Sequence, residues 1–280
     1  MRKSVGFLAV LVVGVGACTG ARQLLAEQLM VATLLATPEV FISASAAAPD
    51  AGLPADAGYT VPAQTLAFVY FGVRDADALD QPPTAISDAT ITVRRDGAPE
   101  LTLENQTQGR YGLTSAAQPE LTYVSGATYE FRATADGEVY TAEVVEVPLQ
   151  ESIAAFHPAK GYVDHPAGSE FGFDRPEPPA QVARPLGFVT VLPLGASGET
   201  GQPTYTNIPD QPLEFLQLVA RPANWKQTRV VVPGSAFPAA DTDYLVVFQS
   251  AKLGGAKSDN LFLGSAIVAG TADVAVVHTR

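Results

Sequence analysis

The sequence predicts an all-β protein, built as two sandwich domains with one N-terminal helix and a Pro-rich connector. Three observations point there. The 280 residues include 22 Pro and 24 Gly, a turn-rich composition. Apolar stretches after the N-terminus are mostly short and bounded by turn residues, as strands are. Two hairpins, closed on their own turn residues, place their apolar side chains on one face.

The N-terminus comes first. Arg2 and Lys3 precede an apolar run, Val5 to Ala17, too short for the roughly 20 residues a membrane-spanning helix needs. A cationic start, an apolar middle and small residues at the end are the pattern of a secretory signal peptide. The run ends in Val15-Gly16-Ala17-Cys18, which holds the only cysteine of the chain. This tetrapeptide resembles the lipobox of bacterial lipoproteins: an aliphatic residue, two small ones, then cysteine. The resemblance implies cleavage between Ala17 and Cys18, a diacylglycerol on the Cys18 thiol and an acyl chain on the new amino group. Sulfur is required because the thiolate is the nucleophile that takes the lipid. Two or three acyl chains anchor a protein stably where one does not. The lipid bilayer is then the first partner, and the covalent lipid is the only attachment, with no dissociable cofactor. Thr19, in place of an Asp after the cysteine, implies sorting to the outer membrane.

Beyond the signal peptide (residues 1–17), residues 18–58 read as a lipid-anchored tether. Within it, residues 21–36 carry Leu24, Leu25, Leu29, Met30, Leu34 and Leu35 near a 3.6-residue period, which predicts a helix. "PEVFISAS" reads as a strand, and the Ala- and Pro-rich stretch 46–58 as a loop.

Residues 59–148 form the first predicted sandwich. "TLAFVYFGV" is a strand. In "TYEFRATADGEVYTAEV", Asp136-Gly137 supplies a type I′ turn, where both residues need positive φ. That turn pairs Ala133 with Tyr140, Phe131 with Ala142 and Tyr129 with Val144, leaving Glu130 opposite Glu143 on the outer face. In "TITVRRDGAPELTLE", a loop with Gly97 left-handed pairs Val93 with Leu101 and Ile91 with Leu103. It sets Arg94 opposite Glu100. "GRYGLTS" adds a further strand. This region is similar to the immunoglobulin- or transthyretin-like modules of bacterial surface lipoproteins, through the strand that carries Gly126, Tyr129 and Phe131. The likeness implies an immunoglobulin-like sandwich, a scaffold that hosts many roles.

Residues 149–184 are Pro-rich, and "DRPEPP" predicts an extended spacer. Residues 185–280 form the second sandwich. Its candidate strands are "GFVTVLPL", "PLEFLQLVA", "TRVVVP", "DYLVVFQSA", "NLFLGSAIVAG" and "ADVAVVHT".

Formal net charge is −12. Losing Arg2 and Lys3 with the leader takes 17 cations to 15, hence about −14. The acidity is concentrated: residues 38–184 hold 21 acidic and 8 basic side chains. Such a surface repels phosphate backbones, so nucleic acid is excluded as a partner.

Candidate chemistry is sparse. His157, Asp164 and His165 are potential zinc ligands but lack the tight paired spacing of zinc sites. Calcium, which wants six to eight oxygens, has better candidates in Asp75, Asp77 and Asp80, and in Asp241 with Asp243. Ser235 and Ser265 do not sit in a Gly-x-Ser-x-Gly elbow. "GASGETG" lacks the lysine of a phosphate loop and reads as a turn. No catalytic set emerges, and the sequence predicts no enzyme. Trp225, flanked by Arg221 and Arg229, is the candidate binding residue, able to stack on a sugar or anchor a protein. The expectation is a lipid-anchored envelope protein that acts as a binding, adhesion or accessory module toward an envelope protein or glycan. A carbohydrate-binding module using Trp225 and an envelope hydrolase are the alternatives.

Overall fold

A computed structural model describes residues 22–43, 58–75, 83–195, 198–209, 218 and 221–280. The fold is all-β. The first strands are β1 (Gln28–Thr37), β2 (Val40–Ser43), β3 (Gly58–Val61), β4 (Gln64–Val73) and β5 (Thr84–Ala85). Next come β6 (Thr90–Arg95), β7 (Leu101–Thr102), β8 (Glu104–Asn105), β9 (Arg110–Thr114), β10 (Tyr129–Ala135) and β11 (Glu138–Val144). The C-terminal half adds β12 (Val163–His165), β13 (Phe171–Asp174), β14 (Leu186–Leu194) and β15 (Tyr205–Thr206). It ends with β16 (Arg229–Val232), β17 (Asp243–Ala256) and β18 (Ala266–Thr279).

Fourteen strands hydrogen-bond into one continuous sheet along the path β7-β6-β10-β11-β17-β18-β1-β4-β9-β8, with β5, β12, β14 and β15 on its branches. Two cores form on it, the first among its own strands and the second where β14, β17 and β18 pack against the separate β13–β16 pair. In the first, Met30, Leu34 and Phe71 meet Ile91, Phe131 and Tyr140, with the Phe71 and Tyr140 rings 5.4 Å apart. In the second, Phe156, Phe173, Val191, Phe237, Phe248 and Val277 pack together.

The hairpin of β17 and β18 serves both cores. Its register runs from Asp243↔His278 to Gly255↔Ala266. Near the turn, Ile267 and Ala269 enter the first core, while Val246, Phe248, Ala275 and Val277 enter the second. Gly254 is needed where β11 crosses close by, since a Cβ there would lie 2.2 Å from the Glu143 carbonyl oxygen.

Three sequence expectations are corrected here. The predicted helix over residues 21–36 is confined to residues 22–25. Gln28–Thr37 is instead a strand, parallel to β18 and antiparallel to β4. Met30, Ala32 and Leu34 alternate into the core, and partners on both sides outweigh the helix propensity of Leu and Ala, which is a weak preference. Secondly, the boundaries 59–148 and 185–280 are too narrow, because the first core includes β1 and the tip of the β17–β18 hairpin. Thirdly, residues 149–184 are not a spacer. β12 pairs with β18, β13 pairs with β16, and Ile153, Phe156, Phe171 and Phe173 lie in the second core.

The hairpin registers are as the turns predict. Tyr129 pairs with Val144, Phe131 with Ala142 and Ala133 with Tyr140, and both Asp136 and Gly137 have positive φ. Val93 pairs with Leu101, and the Leu103 amide donates to the Ile91 carbonyl. Arg94, however, reaches Glu130 rather than Glu100, because β10 lies on its other side. "PLEFLQLVA" falls almost wholly outside the described residues, Leu218 excepted. The candidate strands "NLFLGSAIVAG" and "ADVAVVHT" merge into β18.

Candidate functional site

Ala17, Cys18, Asp77 and Asp80 lie outside the described residues. Asp75 follows the end of β4 and is engaged in an interaction of its own. Among the described residues, no group of three or more His, Cys, Asp or Glu side chains is arranged to hold a metal.

The histidines and their neighbouring acids have structural partners. His157 Nε2 lies 2.9 and 3.0 Å from the Asp273 carboxylate oxygens. Asp273 is 2% exposed and also accepts the Ile153 amide at 2.6 Å. The pair therefore fastens the segment after residue 149 to β18. His165 Nε2 donates to the Ser169 carbonyl at 2.9 Å, with its ring edge-on to Phe171 and Phe237. Asp164 binds Lys160 and Arg280. So the three zinc candidates each have partners of their own and share none.

Asp243 is paired with His278 Nδ1 at 2.9 Å, both nearly buried. Burial raises the Asp243 carboxyl above its ordinary range, opposed only in part by His278. The Asp241 amide donates to Thr279, so Asp241 and Asp243 serve the chain's own ends. The two carboxylates of Glu130 and Glu143 face each other across β10 and β11 as the register requires. The cation between them is Lys257, whose Nζ lies 2.7 and 2.8 Å from them. Both carboxylates hold its ammonium above the usual lysine range.

Trp225 is half-buried in a 3-10 turn, Pro222–Trp225. Its ring packs on the cluster of Leu186, Phe188, Leu218 and Ala251, and its indole N–H donates to the Asn207 carbonyl at 3.1 Å. Arg221 is exposed, and Arg229 pairs with Asp174 at 3.1 Å. Ser265 Oγ accepts the buried Met30 amide at 3.0 Å, a structural task. Ser235 sits in the 3-10 turn Gly234–Ala236. Among the described residues of "GASGETG", the Gly195 N–H donates to the Glu199 carbonyl at 2.8 Å.

Two features escaped the sequence. One is a buried ion pair: Arg175 Nε and Nη2 donate to Glu151 at 2.8 and 2.6 Å, and Ser250 Oγ donates to the same carboxylate at 2.9 Å. The Arg175 side chain is 0% exposed. It also reaches the Pro185 carbonyl at 2.9 Å and lies over the Phe248 ring, 5.1 Å from the centroid. Glu151 and Arg175 are 24 residues apart and no local pattern links them. The "DRPEPP" context, which suggested an extended spacer, concealed the arginine's burial.

The other is a groove of about 1550 Å³ beside the first core and the cluster of Leu186, Leu218 and Ala251. Leu24, Val147, Leu149, Val182, Phe262 and Leu263 are among its lining. Leu24 belongs to the turn over residues 22–25, which Arg74 clamps. Its Nε donates to Ala26 O at 3.0 Å and its Nη2 to Leu24 O at 2.8 Å. The guanidinium lies 3.9 Å over the Phe262 ring. The N-terminal turn is thereby held at the groove's rim.

No protein-family model matches the chain, and no curated protein matches it. Among solved structures, it is similar to the three N-terminal domains of the highly immunogenic outer capsid protein Hoc of bacteriophage RB49. That similarity has 7% identity and a TM-score of 0.25, covering 90% of this chain and 71% of the other. A chimeric titin Z1Z2 tandem carrying a GRGDS peptide from fibronectin gives 14% identity and a TM-score of 0.23, covering 78% and 91%. Likenesses this weak carry no argument about activity.

Proposed function

We propose that this chain is the precursor of an exported bacterial lipoprotein, and that its mature β-rich body is a non-enzymatic binding or accessory module of the cell envelope. The observation that carries the reading is Val15-Gly16-Ala17-Cys18 at the end of a cationic-then-apolar leader. Residues 1–17 are removed, Cys18 becomes the new N-terminus, and its thioether-linked diacylglycerol and amide-linked acyl chain hold the protein at a membrane. Thr19 favours the outer membrane. The body is an immunoglobulin-like scaffold whose acidic surface disfavours nucleic acid and suits an envelope protein or glycan as partner.

The disposition of charges supports a non-enzymatic role. The acids that line the groove, Glu146, Glu151 and Glu177, are each paired with a cation, and the buried Asp243 and Asp273 are each bound to a histidine. Trp225 is engaged by Asn207 and the Leu186 cluster, which weakens the sugar-binding reading. Metabolic labelling with an alkyne fatty acid tests the anchor: the wild-type protein takes the label and Cys18→Ser does not. An unlabelled wild type, or equal label in Cys18→Ser, overturns it.

A further inference from the structure

The groove beside the first core and the Leu186 cluster has the shape and chemistry of a site for alkyl chains. Four of its lining side chains, Leu24, Leu149, Val182 and Leu263, remain 49–56% exposed. An apolar concavity left in water marks a binding surface. Its volume, about 1550 Å³, exceeds the roughly 300–1,000 Å³ of an ordinary small-molecule site. Most of its lining charges are paired, Arg184 with Glu177, Lys252 with Glu146 and Glu151 with the buried Arg175 behind it, and Lys226 is the lining cation without an ion pair among the described residues. Beyond the ammonium of Lys226 a charged ligand gains little there, whereas an extended apolar one gains the apolar part of the lining.

The position of the groove selects its occupant. Arg74 holds the turn over residues 22–25 at the rim, with Leu24 in the lining. Cys18 precedes Arg22 by four residues, so at most ~14 Å of chain separates its Cα from that turn. Anything attached to Cys18 is held beside the groove at an effective concentration that a ligand from solution does not match.

We propose that this groove receives the acyl chains carried by Cys18, an inference that rests on the lipidation put forward above. The lining removes methylenes from water as a bilayer does, so the lipidated protein has two states. In one, its chains are in a membrane; in the other, they are folded against its own body and the protein can cross water.

The test uses the whole mature chain, residues 18–280, as unlipidated Cys18→Ser and as lipidated wild type. A pyrene-labelled sixteen-carbon fatty acid methyl ester, neutral like the acyl chains on Cys18, binds the unlipidated protein saturably. Binding weakens at least tenfold when Leu263→Asp or Val182→Asp is added; both side chains are half exposed, so the cores are undisturbed. Lipidated wild type, transferred out of detergent, takes up little probe because its own chains fill the groove. Three results each overturn the proposal: no saturable binding to the unlipidated chain, binding indifferent to both substitutions, or equal uptake by the lipidated protein. Intact-mass measurement of the wild type reports on the anchor separately. A bare Cys18 thiol removes the premise, whereas a lipidated Cys18 beside a groove that ignores the probe removes this inference alone.

Discussion

Replacing Glu151 by Ala leaves the Arg175 guanidinium buried without its carboxylate. Removing one partner of a buried ion pair costs about 3–5 kcal/mol, because the remaining charge has already lost its water. Arg175 keeps the Pro185 carbonyl at 2.9 Å and weaker contacts to the Trp225 and Gln227 carbonyls at 3.4 and 3.5 Å. That residual solvation places the loss near the lower end, about 3 kcal/mol. In a chain of this size each kcal/mol moves Tm by roughly 2–4 °C, so Tm falls by about 6–12 °C. Urea unfolding followed by the fluorescence of Trp225, the only tryptophan, measures the loss. The double variant Glu151→Leu/Arg175→Met recovers most of it, since an apolar pair of similar volume has no charge to desolvate. The exposed Arg229–Asp174 pair is the control, and Asp174→Ala costs about 1 kcal/mol or less. If Glu151→Ala costs no more than Asp174→Ala, the pair is not the fastener described above.

Three further outcomes are expected. Lys257→Met removes the cation shared by Glu130 and Glu143 and lowers stability by about 1 kcal/mol in dilute buffer. The loss shrinks in ~1 M salt, and equal urea midpoint shifts at both salt levels would contradict the ionic account. The Asp243 carboxyl titrates above its ordinary value of 3.8 because of burial, so the native state holds its proton longer than the unfolded chain does. Its contribution to stability is full below pH 3.8 and is lost as pH rises through the raised value. Asp243→Asn, which keeps the partner of His278, abolishes that downward slope in denaturation series across the acid range; an unchanged slope refutes the assignment. Gly137 has φ +79° and open space where a Cβ would go. Gly137→Ala therefore costs about 1 kcal/mol from backbone strain alone, and an unaltered urea midpoint would show that the turn relaxes.

Local order was readable wherever the turn and the strand pattern agreed. Asp136-Gly137 set the register of β10 and β11, which put Glu130 opposite Glu143, although the cation between them came from Lys257, 127 residues away from Glu130. Gln28–Thr37 misled because its apolar residues satisfy both a helical and an alternating period. What decides is β18, whose position beside β1 cannot be read from the N-terminal residues. The segment 149–184 misled for a related reason. Its strands span three and four residues between prolines, and their stability comes from β16 and β18. The groove was invisible as well, since Leu24, Val182 and Leu263 look like ordinary residues until three distant segments meet.

The mass of the mature protein's N-terminal peptide, taken from native membranes, tests the central claim most directly. The account predicts a chain that begins at Cys18, with a diacylglycerol on sulfur and an acyl group on nitrogen. A peptide that still carries residues 1–17, or one that begins elsewhere with the thiol unmodified, contradicts it.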